Sequence, residues 1–319
     1  MKKSLVLLLS LLFIATAFGC ENPGPANGGC DGDQQCTPLE QFDNLMAPKN
    51  GTATPPNGEY EVVIEWDPNF PNYTIYRPVG AENMPILAWG EGGCVKMGES
   101  YAEMMMNVAS YGIVVIADGP PDKFGNTPGT MMNPVGTALT DGITYIIEKN
   151  SDPCSPLYGK VDTQKVAVSG QSCGGLLAID AAADERVTVT FIMSSGLFQV
   201  PQREKKLPKI HTPVIYLNGG PTDVAYAQAT KDIEYLVGLA EKDEFDYPIY
   251  WANRGIGHMA DILQDDGGTF GQYLANWLRY QFFNDPECVA MFEGDDCAYC
   301  QDNDHKSKLW TLEKWNGAK

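Results

Sequence analysis

The chain has 319 residues, a formal net charge of −19 and 44% hydrophobic residues. So acidic a polypeptide lacks a basic footprint for phosphate, which excludes a general nucleic-acid binder and disfavours polyanionic substrates at low salt. About 300 residues suffice to bury one α/β core without dividing into two domains.

Residues 1–19 place two lysines before an apolar run from Leu5 to Phe18, followed by small residues. The run is shorter than the ~20 residues a spanning helix needs, so it reads as a secretory signal peptide. Ala17-Phe18-Gly19-Cys20 also resembles a lipoprotein cleavage box, in which a lipidated Cys20 tethers the mature protein to a membrane. The expected location is secreted or lipid-anchored to the cell envelope. The nine cysteines are Cys20, Cys30, Cys36, Cys94, Cys154, Cys173, Cys288, Cys297 and Cys300. Nine is odd, and a lipidated Cys20 leaves eight, enough for four disulfides in an oxidising compartment. Local pairing is expected for Cys30 with Cys36 and within the group Cys288, Cys297 and Cys300. Zinc is the competing reading of Cys297-x-x-Cys300, but no second CxxC or histidine pair stands at ligand spacing, so no metal or cofactor is expected.

Residues 20–57 are rich in Gly, Pro, Asn and Asp and read as a tether. Strands are then expected at 59–66, 73–78, 85–89 and 112–117, with a helix over 100–110 between the last two. The Pro- and Gly-rich stretch 119–135 reads as a loop, and 137–149 as a helix with Ile143, Ile146 and Ile147 at helical spacing. Further strands are expected at 166–168, 187–193, 213–217 and 247–252, and helices over 173–183, 226–240 and 270–282. The segment 201–208 is short and polar, with no room for a large cap domain. Strands alternating with helices imply an α/β architecture, a mostly parallel sheet covered on both faces. That domain is expected over 58–285, with a cysteine-containing extension over 286–319.

One of these junctions carries chemistry. Gly170-Gln171-Ser172-Cys173-Gly174 matches G-x-S-x-G between a strand and a helix, where a tight turn exposes the serine hydroxyl for attack on a carbonyl. A serine needs a histidine base held by a carboxylate. The chain has three histidines. His211 precedes the 213–217 strand, His305 lies in a charged tail, and His258 follows the last expected strand at the carboxyl edge, where catalytic groups of α/β sheets gather. His258 is therefore the expected base. Asp223 follows strand 213–217 in a Gly/Pro turn and is the expected carboxylate. Asp232, Asp243 and Asp246 fall on a helix or at the opposite edge. The oxyanion hole is expected from the Cys173 amide and from Glu91 or Gly92 in the loop Trp89-Gly90-Glu91-Gly92-Gly93-Cys94. A Cys94–Cys173 disulfide would tie the two halves of that hole together. Trp89, Met193 and Tyr226 stand as candidates to line the cleft or to fill the core.

The elbow GQSCGG, the loop WGEGGC, the turn GGPTDVAY at 219–226 and the Gly-Ile-Gly-His at 255–258 resemble secreted α/β-hydrolases of the dienelactone hydrolase, chlorophyllase and polyester-hydrolase-like group. The resemblance spans roughly residues 59–300, including Met291 to Cys297. It implies the α/β-hydrolase fold and the triad Ser172, Asp223 and His258. The chain departs from dienelactone hydrolases proper in having Ser where they have Cys. It also has Trp89 where lipase-type loops carry histidine. The expected function is hydrolysis of carboxylic esters, bulky or polymeric ones in the absence of a cap, through an acyl-enzyme. The alternatives are a serine peptidase of the same fold and a non-catalytic surface binding protein on this scaffold.

Overall fold

The computed structural model describes residues 40–41, 57–121, 137–300 and 310–318. The signal peptide, Cys20, Cys30, Cys36, the stretch 122–136 and His305 lie outside them.

Among the described residues ten strands form the sheet, most of them rich in β-branched or aromatic residues: β1 (Glu40–Gln41), β2 (Val62–Trp66), β3 (Tyr73–Pro78), β4 (Met84–Gly90), β5 (Val114–Asp118), β6 (Val161–Gln171), β7 (Val189–Met193), β8 (Val214–Asn218), β9 (Ile249–Arg254) and β10 (Trp310–Trp315). They pair in the order β1-β2-β3-β5-β4-β6-β7-β8-β9-β10. The run from β5 to β9 is parallel. β1, β2 and β3 flank it antiparallel on one side, and β10 on the other. The central strands are apolar on both faces, as a sheet covered twice requires. Along β4, Ile86 and Ala88 enter one core while Leu87 and Trp89 enter the other.

Helices α2 (Ala138–Ser151), α3 (Cys173–Ala181) and α5 (Tyr226–Ala240) cover the first face. In α2, Leu139, Ile143 and Ile146 recur at helical spacing and are buried. Helices α1 (Ala102–Ser110), α6 (Gly268–Phe283) and α7 (Pro286–Phe292) cover the second. No helix among the described residues is long and apolar enough to cross a membrane.

Three points that the sequence leaves open are decided by packing. The segment read as merely short and polar forms a helix, α4 (Val200–Lys206). It is anchored by charge instead of an apolar stripe: Arg203 Nε donates to Asp232 Oδ1 at 2.6 Å, and Asp232 Oδ2 accepts from the Leu197 amide at 2.8 Å. Burial pushes the Asp232 carboxyl up to about 6, against the hydrogen bonds from Leu197 and Arg203. Trp89 and Met193 are fully buried core residues and do not line a cleft, while Tyr226 is half-buried against Trp251. The described part of the extension over 286–319 packs on the sheet domain. Phe292 is fully buried among the rings of Tyr273, Trp277, Tyr280 and Tyr299, and β10 runs along the whole of β9. Its few apolar residues are too sparse to show a period, so only packing reveals where they go.

Candidate active site

β4 and β6 are neighbours, yet the chain leaves β4 through α1 to reach β5 on one side and leaves β6 through α3 to reach β7 on the other. A crevice opens beyond the carboxyl ends of parallel strands at such a reversal. Ser172 stands there, immediately after β6, with φ 54° and ψ −115°. That conformation costs a residue with a Cβ about 1–3 kcal/mol and persists only when its surroundings impose it. Here the Ser172 amide donates to Met193 O at 3.0 Å, and the Ser172 carbonyl accepts from Ser195 Oγ at 2.6 Å.

The glycines around the elbow answer to contact. A Cβ on Gly174 would strike the carbonyl oxygen of Gly90 and lie 2.9 Å from the Glu91 nitrogen. This approach sets the first turn of α3 against the exit of β4. The Cys173 amide belongs to the helix N-terminus, whose N–H groups have no acceptor within the helix and carry its positive dipole end. The Glu91 amide borders the same point, whereas the Gly92 amide bonds the Tyr101 hydroxyl. Of the two loop amides expected to face an oxyanion, Glu91 is the one beside α3.

His258 comes from the loop after β9 and Asp223 from the turn after β8. A Cβ on Gly219 would collide with the backbone of Gly257, whose amide donates to Gly219 O at 2.9 Å, so the two turns are clamped together. His258 Nδ1 lies 2.6 Å from Asp223 Oδ1, and His258 Nε2 lies 3.0 Å from Ser172 Oγ. A carboxylate only accepts, so Nδ1 carries the proton and Nε2 presents its lone pair to the hydroxyl. Asp223 also accepts from the amides of Gly219 at 3.0 Å and Ala225 at 2.8 Å. Burial raises its carboxyl pKa, but the bonds from His258, Gly219 and Ala225 together outweigh it and hold the group below the usual carboxylate value. The Asp223 side chain is fully shielded while that of His258 keeps 23% of its exposure, so only the serine end of the line is open to a ligand.

The remaining residues fall as follows. His211 precedes β8, at the edge opposite Ser172. Asp232 is engaged with Arg203, away from the line. Cys94 and Cys173 form a disulfide across 79 residues, with Cα atoms 5.1 Å apart. Cys297 and Cys300 form another, and Cys154 is also disulfide-bonded. Cys288 is the free thiol among the described residues, buried, with its pKa pushed up to about 11.

No protein-family model matches this chain, and a search of curated proteins finds no match.

Sequence reasoning missed Gln171, Tyr101 and Ser195. Gln171 stood as the free position of G-x-S-x-G, yet its side chain touches both neighbouring loops. These contacts join residues 23 to 87 positions apart, a range over which no local pattern carries a signal.

Proposed function

We propose that this protein is a serine hydrolase of the α/β-hydrolase fold, related to the dienelactone hydrolase, chlorophyllase and polyester-hydrolase-like group, that cleaves carboxylic esters outside the cell or at its envelope. The observation that carries the reading is the continuous line Ser172 Oγ, His258 Nε2, His258 Nδ1, Asp223 Oδ1, assembled from segments 86 and 35 residues apart. In the reaction Ser172 Oγ attacks the ester carbonyl while His258 Nε2 takes its proton. The developing oxyanion accepts from the amides of Cys173 and Glu91, which are fixed before the substrate arrives and need no reorganisation. Collapse expels the alcohol, protonated by His258, and leaves an acyl group on Ser172. Water then enters, gives a proton to His258 and releases the acid. Asp223 stays ionised throughout and holds the imidazole in the required tautomer.

Two features favour bulky or polymeric esters. Among the described residues, the stretch between β7 and β8 contributes only the short helices around α4, and none of its elements is a cap domain. Val224 and Met259, next to Asp223 and His258, are 75% and 44% exposed and offer apolar surface at the rim.

A fluorophosphonate probe tests the assignment. Wild-type protein should be labelled and Ser172→Ala should not; equal labelling of both removes Ser172 as the nucleophile. Hydrolysis of p-nitrophenyl acetate without hydrolysis of matching anilides would assign the enzyme to esters over peptides.

A further inference from the structure

Gln171 is the last residue of β6, directly before Ser172, and its side chain is fully buried. Its Oε1 accepts from the Tyr101 hydroxyl at 2.9 Å. Its Nε2 donates to the main-chain oxygen of His258 at 3.2 Å and stands 3.5 Å from His258 Nε2. A Cβ on Gly92 would strike both Gln171 Oε1 and the Tyr101 hydroxyl, so the same amide also abuts the oxyanion loop. The partners fix the orientation of the group. The His258 carbonyl can only accept, so the NH2 end faces it. Tyr101 keeps its proton, because burial and then the nearby Glu91 carboxylate raise its pKa, and it donates to the other end.

We infer that Gln171 is a positioning residue, a strut that holds the His258 loop and the Glu91–Gly92 loop in register with Ser172. The inference rests on the ester-hydrolase reading above. Asp223 controls the rotation of the imidazole, but the height of His258 over the serine depends on its backbone, which sits in an irregular loop. Gln171 reaches that backbone from the rigid end of a central strand. It reaches the oxyanion loop through the same amide, so one side chain sets base and oxyanion donors against the nucleophile next to it. A neutral amide suits the place because it offers a donor at one end and an acceptor at the other. A carboxylate there would set oxygen against the His258 carbonyl oxygen.

The test compares Gln171→Met, which keeps the volume and removes both bonds, with Gln171→Glu, Tyr101→Phe and the Met/Phe double variant. The readouts are kcat and KM for p-nitrophenyl acetate, the rate of fluorophosphonate labelling, and the thermal midpoint. Small displacements of catalytic groups cost up to about a hundredfold, so Gln171→Met should lower kcat by about ten- to a hundredfold with KM nearly unchanged. Labelling should slow in parallel while the protein remains folded at the assay temperature. Gln171→Glu should be no better than Gln171→Met at neutral pH. Tyr101→Phe should lose less, and its loss should not add fully in the double variant, because the two residues act as one unit. The inference is overturned if Gln171→Met keeps wild-type kcat and labelling rate, or if its loss follows the unfolded fraction alone. Labelling that survives in Ser172→Ala would instead overturn the hydrolase reading itself, whatever the Gln171 variants do.

Discussion

Asp223 has two duties at the residue scale, orienting His258 and remaining charged while buried. Its hydrogen bonds outweigh burial, so its carboxyl titrates lower in the folded protein than in the unfolded chain, where the ordinary value is about 3.9. A depressed folded pKa means that folding favours the ionised form. The resulting stability is complete above the unfolded value and is lost as pH falls through it toward the folded one. Asp223→Asn removes that dependence. Thermal midpoints measured between about pH 5 and 3 should therefore fall less steeply for the variant than for the wild type. At neutral pH the same substitution should lower kcat for p-nitrophenyl acetate by about 10⁴-fold, because the amide favours the wrong tautomer of His258. A variant with near-normal turnover would show that Asp223 does not orient the base.

At the scale of elements, the junction of β4 with α3 sets the Glu91 amide beside the first turn of the helix, where the proposed oxyanion hole would form. Gly174 and Gly90 touch backbone to backbone, and an added methyl has no space to occupy. Gly174→Ala should push α3 from the sheet, destabilise the protein by about 1–3 kcal/mol in urea unfolding and slow phosphonate labelling as well. The Cys94–Cys173 disulfide spans the same junction from the other end of the loop, where Cys94 holds φ 53°. Both cysteines are half-buried. Cys94→Ser should lower stability by about 2–5 kcal/mol. Its kcat should fall by less than the 10²–10³-fold typical of losing a whole oxyanion donor, since the loop is loosened and not removed. Assays of wild-type protein with and without dithiothreitol check this independently, and an unchanged kcat after verified reduction would separate the disulfide from the oxyanion hole.

The described residues form one sheet with two cores, and the segment around Phe292 belongs to the second of them. Phe292 fills a position among four aromatic rings under α6, so Phe292→Ala should cost about 3–5 kcal/mol in denaturant unfolding. A cost below about 1 kcal/mol would mean that the segment is only draped on the surface. Much of the architecture was open to a reader of the sequence. The helix over 226–240 and the strand over 73–78 have the bounds their periodicity implies, because each buries a continuous face. The Gly-rich turns before Asp223 and His258, and the elbow around Ser172, announced themselves by residue type, since tight turns and close backbone contacts restrict which residues fit. By itself, then, the sequence determined the alternation of elements and the identity of the three residues that meet. Only the tertiary structure decided that Ser172, His258 and Asp223 lie within hydrogen-bonding distance, that Glu91 and not Gly92 borders α3, and that Cys94 reaches Cys173. It also decided the place of Gln171, the polar anchoring of α4 and the burial of Phe292. The physical reason is range: periodicity and turn chemistry act over a few residues, whereas these contacts join segments brought together only when the sheet closes.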